Sequence, residues 1–276
     1  MAYEKERQTA IAAVTAAAKL CETVRCKKSQ PLTKADTSPV TVADFGAQAI
    51  ICQALGGNFP DDPIIGEEDS AMLQQSDRQE VFSGVVGLVQ DILPHATPDD
   101  ILHWIDRGNG KIAPRYWTLD PIDGTKGFIR GDQYAIALAL VENGALKLGI
   151  LGCPALPVDP ADGNSPKGVL FLAVQGEGTQ MLSLRDRTAQ PANVNGTNDP
   201  QTLRLITSVE ARHSDRNKQE ALMTALGMTS PPYGWTPKPN MPPSPEEKPI
   251  SIAAFPQRIA KISEKIFGIM QPERSC

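Results

Sequence analysis

Acidic side chains that directly follow apolar segments are the residues of this chain best suited to chemistry. Asp44 ends the stretch PVTVAD, and Glu67 lies in IIGEED. Asp120 and Asp123 stand close together in WTLDPIDGTKGF. Carboxylate oxygens are hard ligands of the kind that Mg²⁺ takes, usually one or two of them together with water and substrate phosphate. The pattern therefore favours a magnesium site.

Each of these three acidic segments is expected to form a turn. The third, WTLDPIDGTKGF, combines the carboxylates of Asp120 and Asp123 with the hydroxyl of Thr125. Pro121 fixes the chain after Asp120 and Gly124 releases it, so both aspartates and the Ile122 carbonyl are expected to face one small volume at the end of a strand. Two metal ions held there could activate a water and stabilise the leaving oxygen of a phosphoryl transfer. Acidic turns are also common on solvated surfaces, and spacing by itself leaves that alternative open.

Composition and charge exclude several classes of function. The chain has 27 basic and 32 acidic side chains, and its formal charge of −5 gives no reason to expect a nucleic acid polymer as a partner. The N-terminus is charged where a signal peptide is apolar, and no apolar run is long enough for a membrane span, so neither is expected. Scattered cysteines predict reduced thiols and a cytoplasmic protein: Cys21, Cys26, Cys52, Cys153 and Cys276.

The elements that must position the acids follow from hydrophobic periodicity. An Ala-rich stretch predicts a helix from Glu4 to about Val24, and a second helix is expected to follow Asp44. A short strand is predicted at Ile64–Ile65, and one or two helices are predicted within residues 80–105.

Strands dominate the next part of the chain. RYWTLDPIDG predicts a strand that ends in a turn, and Asn143-Gly144 predicts a tight hairpin between two further strands. The stretch KGVLFLAVQGEGTQML repeats the hairpin pattern, with Gly176 and Gly178 in its turn. Because helical and strand-rich stretches are interleaved, the sequence predicts a layered α/β or α+β fold.

The motifs PVTVAD, IIGEED and WTLDPIDGTKGF resemble the N-terminal signatures of the inositol-monophosphatase-like phosphatases, which are Mg²⁺-dependent and lithium-sensitive. Longer stretches, SPVTVADFGAQ, NFPDDPIIGEED, DPIDGTKGFIRGDQYAIALALVENG and LGCP, resemble the 3′(2′),5′-bisphosphate nucleotidase branch of that family, especially its fungal members. The resemblance covers about residues 5 to 230. It implies a layered αβαβα sugar-phosphatase fold. It also implies removal of the 3′-phosphate of adenosine 3′,5′-bisphosphate to give AMP, with the sulfated analogue as a further substrate.

Roles for individual residues are implied by the same resemblance. Metal would be bound by Glu67, Asp120, Asp123 and the Ile122 carbonyl. Asp44 would take the proton of the attacking water through the Thr125 hydroxyl. Glu68 and Asp69 are expected to lie outside the set of metal ligands.

Substrate contacts are implied as well, for Asp123, Gly124, Thr125 and His213. His213, in SVEARHSD, stands where the family carries a histidine that contacts the nucleotide. An ordinary surface histidine is the alternative, because the matching stretch is short.

The last part of the sequence departs from the family pattern. Residues 1–230 are expected to form an incomplete phosphatase region, and residues 231–276 a proline-rich tail in place of the C-terminal α/β part. The family's last motif, close to WDHAAG and carrying a metal-binding aspartate, is absent from the sequence. Little activity is therefore expected. An inactive remnant, or an inositol- or sugar-phosphate phosphatase, is the alternative to the nucleotidase.

The tail is predicted to be read in a shifted frame. Back-translation of WTPKPNM, EEKPIS and FGIMQPE in one alternative frame permits DSQAKY, GEADIY and WDHAAG, which resemble family segments in family order. A disordered proline-rich tail is the alternative.

Overall fold

The computed structural model describes residues 2–27, 39–159, 162–193, 206–207, 216–228 and 233–234. The chain divides into two units. Unit 1 comprises Met1–Val158 and Ser165–Ala192, and unit 2 comprises Asp159–Asn164 and Asn193–Cys276. The residues predicted to bind metal and to activate water all belong to unit 1.

Runs of buried small and aliphatic residues form the helices of unit 1. These are α1 (Glu4–Lys27), α2 (Pro39–Asn58), α3 (Gln79–Gln90), α4 (Pro98–Asp106) and α5 (Thr125–Arg130), with short 3₁₀ turns at Ser70–Met72 and Ser76–Arg78. The prediction of α1 is confirmed, and Val14, Ala18 and Cys21 are buried along it. Helices are also confirmed within residues 80–105, where α3 and α4 lie.

Helix α2 differs from its prediction at its start. The sequence predicts a helix after Asp44, whereas α2 begins at Pro39 and contains Asp44 in its second turn. Proline suits the first position of a helix, because the N–H that it lacks would have no intrahelical partner there. Val42, Ala43 and Phe45 are buried. The first turn of α2 contains the β-branched residues of the stretch VTV, which favour a helix only weakly. Tertiary packing therefore stabilises this first turn.

Seven strands form one sheet in unit 1, in the order β1-β2-β3-β4-β5-β6-β7. Their bounds are β1 Ile64–Ile65, β2 Arg115–Asp123, β3 Ala135–Glu142, β4 Ala145–Pro157, β5 Lys167–Val174, β6 Gly178–Ser183 and β7 Ala189–Pro191. β1 pairs with β2 in parallel, and every later pair is antiparallel. Both predicted hairpins are confirmed. At the first of them Asn143 and Gly144 have φ of 50° and 75°, as a type I′ turn requires.

The main hydrophobic core of unit 1 lies between this sheet and its helices. α1 contacts β3 and β4, α2 contacts β2, and α3 and α4 contact α2. Trp117, Ile136 and Leu138 contribute from the sheet and are almost completely buried. A Cβ at Gly152 would lie 2.6 Å from Val14 Cγ1, so this glycine lets α1 approach β4 closely. Helices layered on a mixed sheet confirm the predicted α/β (α+β) class.

Three short elements of unit 2 lie within the described residues. β8 (Ile206–Thr207) pairs in parallel with β9 (Tyr233–Gly234), and α6 spans Arg216–Ala225. His213 lies outside the described residues, and so does the predicted tail apart from β9. Among the helices that the structure describes, none combines the length and the apolarity that crossing a bilayer requires.

Candidate active site

Asp44 is carried by α2, a helix that contacts both β2 and α5. Its side chain is half-buried. Burial raises the pKa of the Asp44 carboxyl, and three neighbouring acids raise it further, to about 8 in all. These acids are Glu68, Glu67 and Asp120. Asp44, predicted to lie in a turn but placed within α2, is therefore in electrostatic reach of both the second acidic turn and the end of β2.

The second acidic turn, Gly66–Asp69, is tied to the region around the end of α4. The Gly66 N–H donates to the Gly108 carbonyl at 2.7 Å. The Ser70 N–H and hydroxyl donate to the two carboxylate oxygens of Asp106 at 3.0 and 2.8 Å. Because Ser70 is 1% exposed, these bonds are shielded from water, and they fix the far end of the turn.

Gln48 holds the same turn from α2, one helical turn after Asp44. Its Oε1 accepts hydrogen bonds from the backbone N–H groups of Glu67 and Glu68, at 3.1 and 3.0 Å. Its Nε2 donates to the backbone carbonyls of Glu68 and Ile105, at 2.6 and 3.0 Å. Gln48 is not among the site residues predicted from the sequence. The available signal was a single amide inside the apolar run AQAII, where a polar group must find partners to be tolerated.

The three acids of this turn differ in environment. Glu67 is exposed, whereas Glu68 is half-buried. Burial, and then the charge of Glu67, raises the pKa of Glu68 to about 7. Asp69 accepts a hydrogen bond from the Ala71 N–H at 2.8 Å and so caps the following 3₁₀ turn. Asp69 therefore has a local structural role, while Glu68 interacts with Asp44 alongside the predicted ligand Glu67.

Strand β2 is irregular where its two aspartates lie. Asp120 stands opposite Ala137 and Asp123 stands opposite Ala135, so three steps along β2 correspond to two along β3. In a regular strand, residues three apart point to opposite faces. Directly opposite residues of an antiparallel pair share a face, so this pairing predicts that both aspartates lie on the face of Ala135 and Ala137. Their shared face supports the predicted common volume for the two carboxylates.

The hydroxyl of the third turn lies on a helix that the sequence analysis did not predict. Gly124 adopts φ of 95°, a left-handed conformation open to glycine at no steric cost, and α5 begins at Thr125. The Thr125 hydroxyl donates to the Ile122 carbonyl at 3.4 Å. At six residues, α5 is too short to show a helical period. The hydroxyl predicted to orient water thus lies beside the carbonyl predicted to bind metal.

Helix α5 is anchored to α1. Arg25 Nη2 donates to the Gly131 carbonyl, where α5 ends, at 2.6 Å. The Tyr134 hydroxyl donates to Glu22 Oε1 at 2.8 Å. Phe128 of α5 packs edge-on against the Tyr134 ring, with centroids 5.0 Å apart. The position of the Thr125 hydroxyl therefore depends on α1 as well as on β2.

The structure brings some of the predicted site residues together. Asp44, Glu67 and Asp120 interact electrostatically, and Thr125 contacts Ile122. Within the described part of the chain, no three His, Cys, Asp or Glu side chains are grouped closely enough to hold a metal ion by themselves. The histidine predicted for the substrate site lies outside that part.

The donor atoms nevertheless suit Mg²⁺. Carboxylate and carbonyl oxygens are its ligands, and it usually keeps several waters and takes only one or two carboxylates, so a group of three acids is not required. Besides burial, the charges of Glu68, Glu67 and Asp120 raise the pKa of Asp44. These acids create a negative potential at Asp44, which a bound cation would offset.

Comparisons with known proteins show which family this chain resembles. The sequence profile of the Inositol monophosphatase family matches residues 5–233. The 3′(2′),5′-bisphosphate nucleotidase of Schizosaccharomyces pombe is 41% identical over 253 residues, which cover 84% of this chain and 71% of that protein. The 3′(2′),5′-bisphosphate nucleotidase 1 of Arabidopsis thaliana is 38% identical over 255 residues, which cover 84% of this chain and 72% of that protein.

Solved structures share the fold. An inositol monophosphatase from Anabaena (Nostoc) aligns with a TM-score of 0.51 at 17% identity, covering 84% of this chain and 67% of that one. An inositol monophosphatase from Zymomonas mobilis aligns with a TM-score of 0.50 at 22% identity, covering 82% of this chain and 67% of that one. Because the family profile spans most of the sequence, the chain belongs to the inositol monophosphatase family, a family of metal-dependent phosphatases.

Proposed function

We propose that this chain is a phosphatase that removes the 3′-phosphate of adenosine 3′,5′-bisphosphate and releases AMP and phosphate. The observation that carries the proposal is the group of interacting acids around Asp44, in a chain whose Thr125 hydroxyl lies beside the end of β2. The relatives from a yeast and a plant, both named 3′(2′),5′-bisphosphate nucleotidases, direct the choice of substrate. The sulfated analogue is proposed as a second substrate.

Mg²⁺ is the proposed metal. When bound, it supplies activation of a water and stabilisation of the charge that develops on the transferred phosphoryl group. The shared face of Asp120 and Asp123 supports their joint use as ligands. The proposed ligands are Glu67, Asp120, Asp123 and the Ile122 carbonyl.

Asp44 and Thr125 are proposed to handle the attacking water. The Thr125 hydroxyl orients the water, and Asp44 accepts its proton through that hydroxyl. A general base works best with a pKa near the working pH. Neighbouring acids and burial raise the pKa of Asp44 to about 8, and a cation nearby would lower it toward neutrality. Contact between α2 and α5 supports the pairing of the two residues.

The substrate is proposed to contact Asp123, Gly124, Thr125 and His213. Of these, the first three follow one another at the end of β2 and the start of α5. The cytoplasm is the proposed location, since the four described cysteines are thiols and thiols persist in reducing compartments.

A catalytically inactive family member is the second candidate. It is favoured by the absence from the sequence of the family's last motif, which carries a metal-binding aspartate. This candidate predicts a folded unit 1 without turnover.

Phosphate release by the purified 276-residue chain tests both candidates. The substrates are adenosine 3′,5′-bisphosphate, its sulfated analogue and an inositol monophosphate, each with Mg²⁺ and with a chelator. We expect only weak hydrolysis of the nucleotide, because the family's last metal-binding motif is absent from the sequence. That hydrolysis should need Mg²⁺ and be lost in Asp44→Asn, which controls for contaminating phosphatases. Release from the inositol phosphate alone would make the chain a sugar phosphatase. A cooperatively folded chain that releases no phosphate from any substrate would be the inactive member.

A further inference from the structure

We propose that Gln48 is a positioning residue that orders the Glu67–Glu68 turn against α2 and so sets where the Glu67 carboxylate stands relative to Asp44. This proposal rests on the proposed phosphatase function, because the place of Glu67 affects turnover only if this side chain takes part in metal binding. Gln48 itself touches neither the substrate nor the reacting atoms in this scheme.

The first observation is that the Gln48 amide is fully used. A glutamine amide has two N–H donors and an oxygen with two lone pairs. Nε2 donates to two backbone carbonyls and Oε1 accepts from two consecutive backbone N–H groups. The side chain is 0% exposed, so water cannot replace any of these four bonds. Losing the amide would leave buried backbone groups of the acidic turn unsatisfied.

A second observation is that two glycines leave room for this amide. A Cβ at Gly66 would lie 2.5 Å from Gln48 Oε1, and a Cβ at Gly108 would lie 2.5 Å from Gln48 Nε2. Neither glycine has a positive φ, so the space that each leaves, and not a special backbone conformation, accounts for its presence. The backbone at Gly66 and at Gly108 therefore lies close to the amide on both sides. We call the Gln48 amide and the backbone groups that it binds the Gln48 clamp.

The position of the clamp links two groups of the proposed site. Gln48 and Asp44 lie on neighbouring turns of one helix, α2, so a shift of the helix moves both. The two N–H groups that Oε1 accepts from belong to the consecutive residues Glu67 and Glu68, which fixes the backbone that carries both carboxylates. A misplacement of about 1 Å at a catalytic group can lower a rate about 100-fold.

Gln48→Leu tests the proposal, because leucine fills similar space without the amide. Gln90→Leu is the matched control: Gln90 Nε2 also donates to a backbone carbonyl, that of Ala96 at 2.8 Å, but at the end of α3 and away from the acidic turn. The full chain is used for each variant. The measurements are amide hydrogen exchange at Glu67 and Glu68, calorimetric titration with Mg²⁺ in the absence of substrate, and phosphate release.

We expect faster exchange at both amides in Gln48→Leu. We also expect Mg²⁺ affinity and turnover to fall by about 10- to 100-fold, the usual effect of removing a group that orients a metal ligand. Gln90→Leu is expected to match the parent in all three measurements.

Gly66→Ala is a second route to the same state if Gln48→Leu does not fold. The added Cβ displaces the amide without removing it. Gln48→Ala makes room for that Cβ, so the double variant Gly66→Ala with Gln48→Ala is expected to lose less than the sum of the single losses. Additive losses would overturn the proposed clamp.

Unchanged exchange at Glu67 and Glu68 in Gln48→Leu would overturn the proposal. Faster exchange with unchanged Mg²⁺ affinity and turnover would overturn it too, by reducing Gln48 to a structural residue. If the parent chain hydrolyses none of the substrates, the proposed function fails separately. The exchange and Mg²⁺ measurements then still decide whether Gln48 orders a metal-binding turn.

Discussion

At the first residue of β2, Arg115 donates hydrogen bonds to three carboxylates. At the far end of the strand, burial and nearby acids, Asp120 among them, raise the pKa of Asp44. The partners of Arg115 are Glu6 and Asp62, each at 2.9 Å, and Glu142. The acids at the far end include Asp120, with Asp44 close by.

The difference predicts that the start of β2 serves stability, whereas its end serves the proposed catalysis. Burial by itself would lower the pKa of Arg115, but the carboxylates around it raise that pKa above its usual range. The Tyr3 hydroxyl donates to Glu142 at 2.7 Å, and Trp117 Nε1 donates to Asp62 at 3.1 Å, so this cluster is also packed against rings. The three carboxylates at the start of β2 thus share a cation that the chain itself supplies. At its end, every group that shifts the pKa of Asp44 by its charge is an acid, and the excess negative potential suits a cation.

Asn in place of Asp120 or Asp123 gives the largest expected effect. Each change removes a ligand charge from a site where the metal supplies several kcal/mol of transition-state stabilisation. Mg²⁺-dependent phosphate release should therefore be abolished in any active form of the protein. Asp62→Asn, at the other end of β2, is the control and should retain activity per folded molecule. If Asp120→Asn and Asp123→Asn keep activity within tenfold of the parent, the end of β2 does not bind the catalytic metal, and the proposed difference between the two ends of β2 is wrong.

Thr125→Val should lower turnover by about 10²–10⁴-fold while Mg²⁺ binding is largely retained. The change deletes only the hydroxyl that orients the water, and valine keeps the shape of the side chain. Steady-state kinetics together with calorimetric titration of Mg²⁺ separate the two effects. An unchanged turnover number would mean that Asp44 works without this hydroxyl.

Arg115→Met should lower the free energy of unfolding by about 2 kcal/mol, since it leaves three carboxylates without their cation in a partly exposed setting. Urea denaturation measures the loss. Turnover of the molecules that remain folded should match the parent, because Arg115 lies at the start of β2. A parent-like denaturation midpoint, with reduced turnover instead, would reverse the roles of the two ends.

Stability should respond to pH with opposite signs at the two ends. The carboxyl of Asp44 loses its proton near pH 4 when unfolded but only at about 8 in the folded, metal-free chain. Between these values the folded chain binds more protons, so its free energy of unfolding falls as the pH rises. Urea denaturation in a chelator at pH 5 and pH 8 should show this loss. Asp44→Asn should remove the part of the loss that Asp44 causes, and Glu68, whose pKa is raised to about 7, accounts for a remainder of the same sign.

At the other end, the Tyr3 hydroxyl first, and then Arg115, lowers the pKa of Glu142. Its contribution to stability is therefore present above the ordinary pKa of Glu and is lost as the pH falls through the lowered value. Glu142→Gln should reduce the loss in acid without changing the loss near pH 8. If Glu142→Gln changed the loss of stability in acid and the loss near pH 8 equally, the acid-side loss could not be assigned to Glu142.

The last prediction concerns residues 231–276, the proline-rich tail, and does not bear on either end of β2. Sequencing the transcript across the codons for Leu226 to Cys276 should show an alternative frame that encodes DSQAKY and WDHAAG. The prolines of this segment would then arise from shifted codons. A locus whose alternative frame encodes neither string would exclude a frame change and leave a proline-rich tail.

Local patterns predicted much of the fold and the acidic turns. The hairpin at Asn143-Gly144 was predictable because a left-handed turn needs such residues, and α1 because its apolar spacing is regular. Long-range effects account for what was missed. The start of α2 is stabilised by packing, and α5 is too short to show a period. The role of Gln48 depends on a turn 19 residues away, which no local pattern encodes.

The packing of α1 against β4 has a consequence in time. Helices α1 and α2 are complete once Asn58 has been synthesised, but their cover on the sheet is complete only with Pro157. At about 5–20 residues per second, the ribosome needs roughly 5–20 s for that interval of about 100 residues. Helix α1, which contacts β3 and β4, must wait through it without its final neighbours. The growing chain therefore offers chaperones a long window, and codon changes that slow translation between Asn58 and Pro157 would widen it.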